Sequence, residues 1–151
     1  CRCFPSVPVL AFTSGVNCAL QLNCVPGPQV YLPGGLLQRD NLALSGSSCV
    51  AGLMNVHFNV AFIGASGYTP ETGFTCCDGE NTQLKRTAID HAEKTVILMD
   101  SSKMGISSTF SFADLVDADV VVTDDGIPPE LLAHLRASNA DILTVAVPGQ
   151  K

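Results

Sequence analysis

The sequence predicts an α/β protein, a mostly parallel sheet with helices on both faces. Two observations carry that expectation. Short apolar, β-branched runs alternate with helical patterns from one end of the chain to the other, as in sheets whose strands are joined by helical crossovers. One of the runs, Thr95-Val96-Ile97-Leu98-Met99, stops abruptly at Asp100-Ser101-Ser102-Lys103. An uninterrupted apolar run reads as a strand buried on both faces, and ligands of open α/β sheets sit beyond the carboxyl ends of such strands. Lys103 is thereby placed to meet an anion, although a plain strand-to-loop turn with a solvated lysine fits the same residues.

In chain order, strands are expected at residues 7–12, 30–32, 60–63, 96–99, 120–122 and 142–147. Helical segments fall between them at 15–22, 47–54, 81–93, 112–116 as a short turn, and 129–137. The helix near Asn81 or Thr82 has a side-chain oxygen to cap its first turn. It carries Leu84, Ala88, Ile89 and Ala92 on one stripe, opposite Lys85, Arg86, Asp90 and Glu93. The last helix opens on Pro128-Pro129, with Asp124 and Asp125 upstream as caps, and Asn139 is placed to end it. Residues 148–151 read as a frayed tail.

The 151 residues suggest one domain, and 46% hydrophobic against 15% charged residues is enough apolar material for a core. No apolar stretch approaches the roughly 20 residues of a membrane span. The opening Cys1-Arg2-Cys3-Phe4-Pro5 lacks the basic and apolar regions of a signal peptide, so a cytoplasmic address is expected. The net charge of −6, with its few cations scattered, excludes a basic stripe for DNA on this chain. Seven cysteines lack paired zinc spacing, so no metal or other cofactor is expected. Cys18 and Cys49 read as buried thiols. Adjacent Cys76 and Cys77 leave a redox reading open, but neighbours on an extended chain point apart. His57, His91 and His134 show no ligand spacing.

Four loops follow expected strands and gather at one sheet edge: Thr13-Ser14-Gly15, Pro33-Gly34-Gly35, Gly64-Ala65-Ser66-Gly67, and Asp100 through Lys103. Three are glycine-rich, which lets backbone N–H groups approach a ligand, and Thr13-Ser14 would open a helix whose N-terminus favours an anion. Together they describe a phosphate-accepting rim. Lys85 reaches it if its helix turns toward the crevice. Asp100 accepts from sugar hydroxyls or caps its own turn. Glu80 complements a helix dipole, and Tyr68 either flanks a sugar ring or lies exposed on its loop.

The order of these segments resembles a known family. Phe62-Ile63-Gly64-Ala65-Ser66-Gly67, Gly73-Phe74-Thr75, Lys85-Arg86, Asp100-Ser101-Ser102-Lys103-Met104-Gly105 and Val122-Thr123-Asp124 are similar to the sensor domain of DeoR-type sugar-operon regulators. Upstream, Phe12-Thr13-Ser14 with Asn17 and Tyr31-Leu32-Pro33-Gly34-Gly35 resemble two further turns of that family. The resemblance implies a cytoplasmic bacterial transcription regulator, of repressor type, whose sensor fold is similar to ribose-5-phosphate isomerase and glucosamine-6-phosphate deaminase. It also implies a bound sugar phosphate whose phosphate meets Lys103.

The family binds operator DNA through an N-terminal winged helix-turn-helix that nothing here matches, and its sensor opens with a Gly-Thr-Thr loop that is absent. The chain is therefore expected to lack the first βα unit of that fold and to form a homo-oligomer that covers the apolar edge so exposed. The related isomerases carry an Asp-Gly-Ala-Asp turn where this chain has Ile63-Gly64-Ala65-Ser66, so the proton-transfer acids are replaced by groups that cannot do that work. Sensing without catalysis is expected, with no catalytic residue. The competing reading is a sugar-phosphate isomerase or deaminase that recruits Asp100 and Glu80.

Overall fold

A computed structural model describes residues 3–147, and the expected tail at 148–151 lies outside that range. The chain divides into two compact units, Cys1–Val56 and His57–Lys151.

The first unit runs β1 (Leu10–Phe12), α1 (Val16–Asn23), β2 (Gln29–Tyr31), β3 (Leu36–Gln38), β4 (Ala43–Ser45) and α2 (Ser47–Ala51). β1 and β2 pair in parallel through the α1 crossover. The strand expected from residue 7 starts only at Leu10, because Pro8 has no N–H to offer a ladder. The β3–β4 hairpin is antiparallel and was not expected, since its turn holds no Asn-Gly or Gly pair. Leu42 there adopts φ +52°. The helix expected over 47–54 stops at Ala51.

The second unit runs β5 (Ala61–Gly64), β6 (Gly67–Thr69), β7 (Gly73–Cys76), α3 (Gly79–Asp90), β8 (Thr95–Leu98), β9 (Phe110–Ala113), β10 (Val120–Asp124), α4 (Pro129–Arg136) and β11 (Asp141–Val145), with 3-10 turns at Ser101–Lys103 and Leu115–Asp117. Four strands form a sheet in the order β11-β10-β8-β5, parallel throughout. Its register lines up Ile63, Ile97, Val121 and Ile142 in one row. This row belongs to the core, where Ile97 and Val121 are 0% exposed. Ala88, Ile89 and Ala92 of the α3 region and Leu131, Leu132 and Leu135 of α4 pack against the same cluster. Side chains alternate along a strand, so Phe62, Leu98 and Leu143 occupy the other face, where they are exposed.

The α/β class and the parallel sheet agree with the sequence reading. A second sheet, β6-β7-β9, is antiparallel and was not foreseen. It claims residues 112–113, expected as a helical turn; the 3-10 turn begins only at Leu115. α3 starts at Gly79 rather than Asn81, because the Asp78 carboxylate accepts the Glu80 N–H at 3.0 Å and caps the helix earlier. α4 opens on Pro129 as expected but ends at Arg136, short of Asn139, and has no side-chain N-cap. Asp124 and Asp125 therefore do not cap it. Cys49 is buried as expected, whereas Cys18 is exposed.

Candidate functional site

The carboxyl ends of β5, β8 and β10 lie side by side, because Gly64 pairs with Leu98 and Leu98 with Val122. Three loops leave this edge of the second unit: residues 64–67, 99–104 and 124–127. Gly64, Ala65, Ser66, Gly67, Asp100 and Lys103 are thus brought to one edge, as the parallel order requires.

The turn after β8 is held by two carboxylates. Asp100 caps it: one oxygen accepts the Ser102 N–H at 3.0 Å and a short bond from the Ser102 hydroxyl. The other oxygen pairs with the Lys103 ammonium at 3.2 Å. The Ser102 hydroxyl and the adjacent lysine hold the Asp100 carboxyl below its ordinary range. Asp124, leaving β10, accepts the Ser101 N–H at 2.7 Å and the Gly126 N–H at 2.9 Å, and hydrogen bonding from the Ser101 side chain, then from its N–H, lowers the Asp124 pKa as well. The sequence reading missed this tether. The signal was available: a carboxylate ending one strand stands beside the loop that leaves its parallel neighbour. Next to it, Thr123 is 4% exposed, and its hydroxyl finds no hydrogen-bond partner among the described residues.

The glycine loop divides by role. A Cβ on Gly64 would have only Leu98 O nearby, at 3.9 Å, so its surface is open to a ligand. Gly67 is buried, and a Cβ there would run into the Ile106 carbonyl and come within 3.0 Å of Thr75 Oγ1. That hydroxyl donates to Gly67 O at 3.2 Å and accepts the Ser108 N–H at 2.9 Å. Gly67 therefore serves packing. The Ala65 methyl lies in the core, and the Ser66 N–H donates to Thr75 O at 2.8 Å, so the loop offers fewer free amides than its glycine content implied.

Lys85 is partly buried on α3, with its ammonium 5.0 Å from the Phe112 ring centroid. Burial pushes its pKa down; the nearby thiols of Cys76 and Cys77 oppose this and Lys103 reinforces it. Arg86 is structural: it pairs with Asp90 at 3.4 Å and Asp117 at 3.3 Å and donates to Phe112 O. Tyr68 fits neither expectation. It is 1% exposed, rests on Phe74 at 4.7 Å between centroids, and its hydroxyl meets His134 Nε2 at 3.1 Å.

In the first unit, Thr13 and Ser14 follow β1 while Gly34 and Gly35 follow β2, so the parallel pair brings these residues to a common edge. Gly34 and Gly35 have φ +82° and +110°, and Gly34 has nothing near a Cβ position. The α1 N-terminus is already partly used: Gly15 N–H donates to Thr13 Oγ1 at 3.1 Å, and Val16 N–H to Leu42 O at 2.8 Å. Among the described residues no three His, Cys, Asp or Glu side chains gather as a metal site. No described helix is long and apolar enough to cross a membrane.

Comparison with known proteins identifies the family. The model of the DeoR C terminal sensor domain matches residues 2–125. The HTH-type transcriptional repressor GlcR of Bacillus subtilis (strain 168) is 34% identical over 140 residues, 93% of this chain and 54% of that protein. The HTH-type transcriptional regulator GolR of Listeria innocua is 34% identical over 115 residues, 76% of this chain and 45% of that protein. The deoxyribose operon repressor of Escherichia coli (strain K12) is 30% identical over 118 residues, 78% and 47% respectively. The chain spans about half the length of the curated relatives it matches. With that family model spanning residues 2–125 of its 151, the chain belongs to the DeoR C-terminal sensor domain family.

Proposed function

We propose that the chain is the effector-sensing part of a sugar-operon transcription regulator, of repressor type, that binds a phosphorylated sugar without turning it over. The observation that carries this reading is the turn after β8, which presents the half-exposed Lys103 at the carboxyl edge of the parallel sheet, the edge that also carries the open Gly64 backbone. The exposed Asp100–Lys103 pair is weak enough to be exchanged for a phosphate. Gly64 supplies open backbone, Ala65 and Ser66 shape the loop, and Gly67 fixes it. Thr13, Ser14, Gly34 and Gly35 contribute on the edge of their own unit.

Catalysis is not part of the reading. The glycine loop holds an alkyl group and a hydroxyl where an isomerase needs acids. Asp100 is committed to Ser102 and Lys103. Glu80 stands in the exposed first turn of α3. Operator DNA is contacted through the half of the full-length regulator that this chain does not span. A cytoplasmic homo-oligomer is its working form, and sugar occupancy selects between two arrangements of it.

Titration calorimetry with a panel of sugar phosphates tests the proposal. A binding member is expected, and Lys103→Ala lowers its affinity at least about tenfold, or about 1.4 kcal/mol. Unchanged affinity in that variant refutes the phosphate contact. Turnover of ribose 5-phosphate or glucosamine 6-phosphate above the uncatalysed rate refutes sensing without catalysis.

A further inference from the structure

We propose that Asp100 is a specificity-determining residue of this edge: it yields Lys103 to a phosphate only when the same molecule offers a hydroxyl in the lysine's place, and so selects polyol phosphates over phosphate esters that lack hydroxyls. The inference deepens the sugar-phosphate reading and rests on it.

Charge at the edge does not by itself invite an anion. In the loops that leave it, residues 64–67, 99–104 and 124–127, the cation is Lys103 and the acids are Asp100, Asp124 and Asp125. Asp124 reaches into the lysine's own turn, where its carboxylate accepts the Ser101 N–H at 2.7 Å. A phosphate arriving at Lys103 thus gains one ammonium and meets carboxylates held beside it. Selectivity commonly rests on such a repulsive element, which the right ligand neutralises and the wrong one does not.

The two oxygens of Asp100 have separate tasks. Oδ1 accepts the Ser102 N–H at 3.0 Å and a short bond from the Ser102 hydroxyl, which ties the group to its own backbone as the cap of the 3-10 turn. Oδ2 faces the Lys103 ammonium at 3.2 Å, and both side chains are about half exposed. When Nζ turns to a phosphate, Oδ2 loses its ion pair while Oδ1 keeps the carboxylate where it was. Left without a donor, it repels the dianion next to it. Given a hydroxyl, it accepts a charge-assisted hydrogen bond in place of the lysine. A polyol phosphate carries both groups on one short carbon chain, and an alkyl phosphate carries only the first.

The test is titration calorimetry of the chain at pH 8 with ligand pairs of equal carbon number: ribitol 5-phosphate against pentyl phosphate, and sorbitol 6-phosphate against hexyl phosphate. At least one polyol phosphate is expected to bind at least about tenfold tighter than its alkyl partner. Asparagine keeps the cap but not the charge, so in Asp100→Asn that ratio should fall at least about fivefold, with the alkyl phosphate binding tighter than it does to the parent. A merely structural role at the turn moves both ligands together and leaves the ratio alone. An unchanged ratio in Asp100→Asn, or equal affinities in the parent, overturns the inference, and so does failure of both polyol phosphates to bind. Equal binding of polyol and alkyl phosphates that is lost in Lys103→Ala removes the selection by Asp100 and leaves the phosphate contact standing, whereas no binding by any sugar or polyol phosphate removes both.

Discussion

Gly64 and Gly67 bound the same loop and look alike in sequence, yet a methyl group added to each should do opposite things. At Gly67 the new Cβ meets the Ile106 carbonyl and Thr75 Oγ1. Neither can move freely: Thr75 is 0% exposed, and its hydroxyl is engaged by Gly67 O and Ser108 N–H. Forcing a methyl into such a contact costs about 1–3 kcal/mol, and disturbing the Ser108 bond adds about 1 kcal/mol. For a unit of this size each kcal/mol lowers Tm by about 4–8 °C, so Gly67→Ala should melt at least about 8 °C below the parent. At Gly64 the nearest atom to a Cβ is Leu98 O at 3.9 Å, and φ is not in the left-handed region. Gly64→Ala should therefore melt within about 2 °C of the parent while weakening sugar-phosphate binding, since the methyl stands where a ligand would touch backbone. Differential scanning fluorimetry and calorimetry read the two effects. A Gly67→Ala protein as stable as the parent refutes the packing argument, and a Gly64→Ala protein that binds as well as the parent removes that loop from the site.

Tyr68→Phe removes a buried hydroxyl from His134 and should lower stability by about 1 kcal/mol at unchanged m-value in urea; equal stability would show that the bond contributes nothing. Acid should loosen the turn after β8 only late. Asp100 and Asp124 have folded pKa values depressed below 3.8, so their contribution is complete above that value and lost as pH falls through the lower folded values. Amide shifts of Ser101 and Ser102 followed by NMR should accordingly have midpoints below 3.8, and a midpoint at or above it contradicts the bonding described. Lys85 has the opposite sign. Its folded pKa is lowered from 10.5, so its charge opposes folding at neutral pH and this opposition fades as pH rises toward 10.5. Lys85→Met should raise Tm at pH 7 and gain less at pH 10; a fall in Tm at pH 7 refutes the desolvation argument.

The parallel sheet was legible because each of its strands carries a short apolar run, and that of β8 ends in a sharply polar turn at Met99-Asp100. The antiparallel sheet was not. β6, β7 and β9 are three or four residues long, and β7 is buried at every position; neither offers the alternation that distinguishes a strand. Gly67 read as the end of a glycine-rich loop, whereas it begins β6 against close neighbours. The Asp100–Lys103 pair was within reach, since residues three apart on a helical turn face each other. Asp124 was assigned to the wrong helix because it lies near α4 in sequence, while its partner Ser101 stands across the sheet, 23 positions earlier.

Asp124 also joins two loops that the chain keeps far apart. The same carboxylate grips Ser101, two residues before Lys103, and Gly126, three residues before α4 begins. Any displacement of the Lys103 turn therefore loads a clamp that also holds the entrance of α4. The second unit thereby holds a short mechanical link from the turn after β8 to a packed helix, with one side chain as the fulcrum.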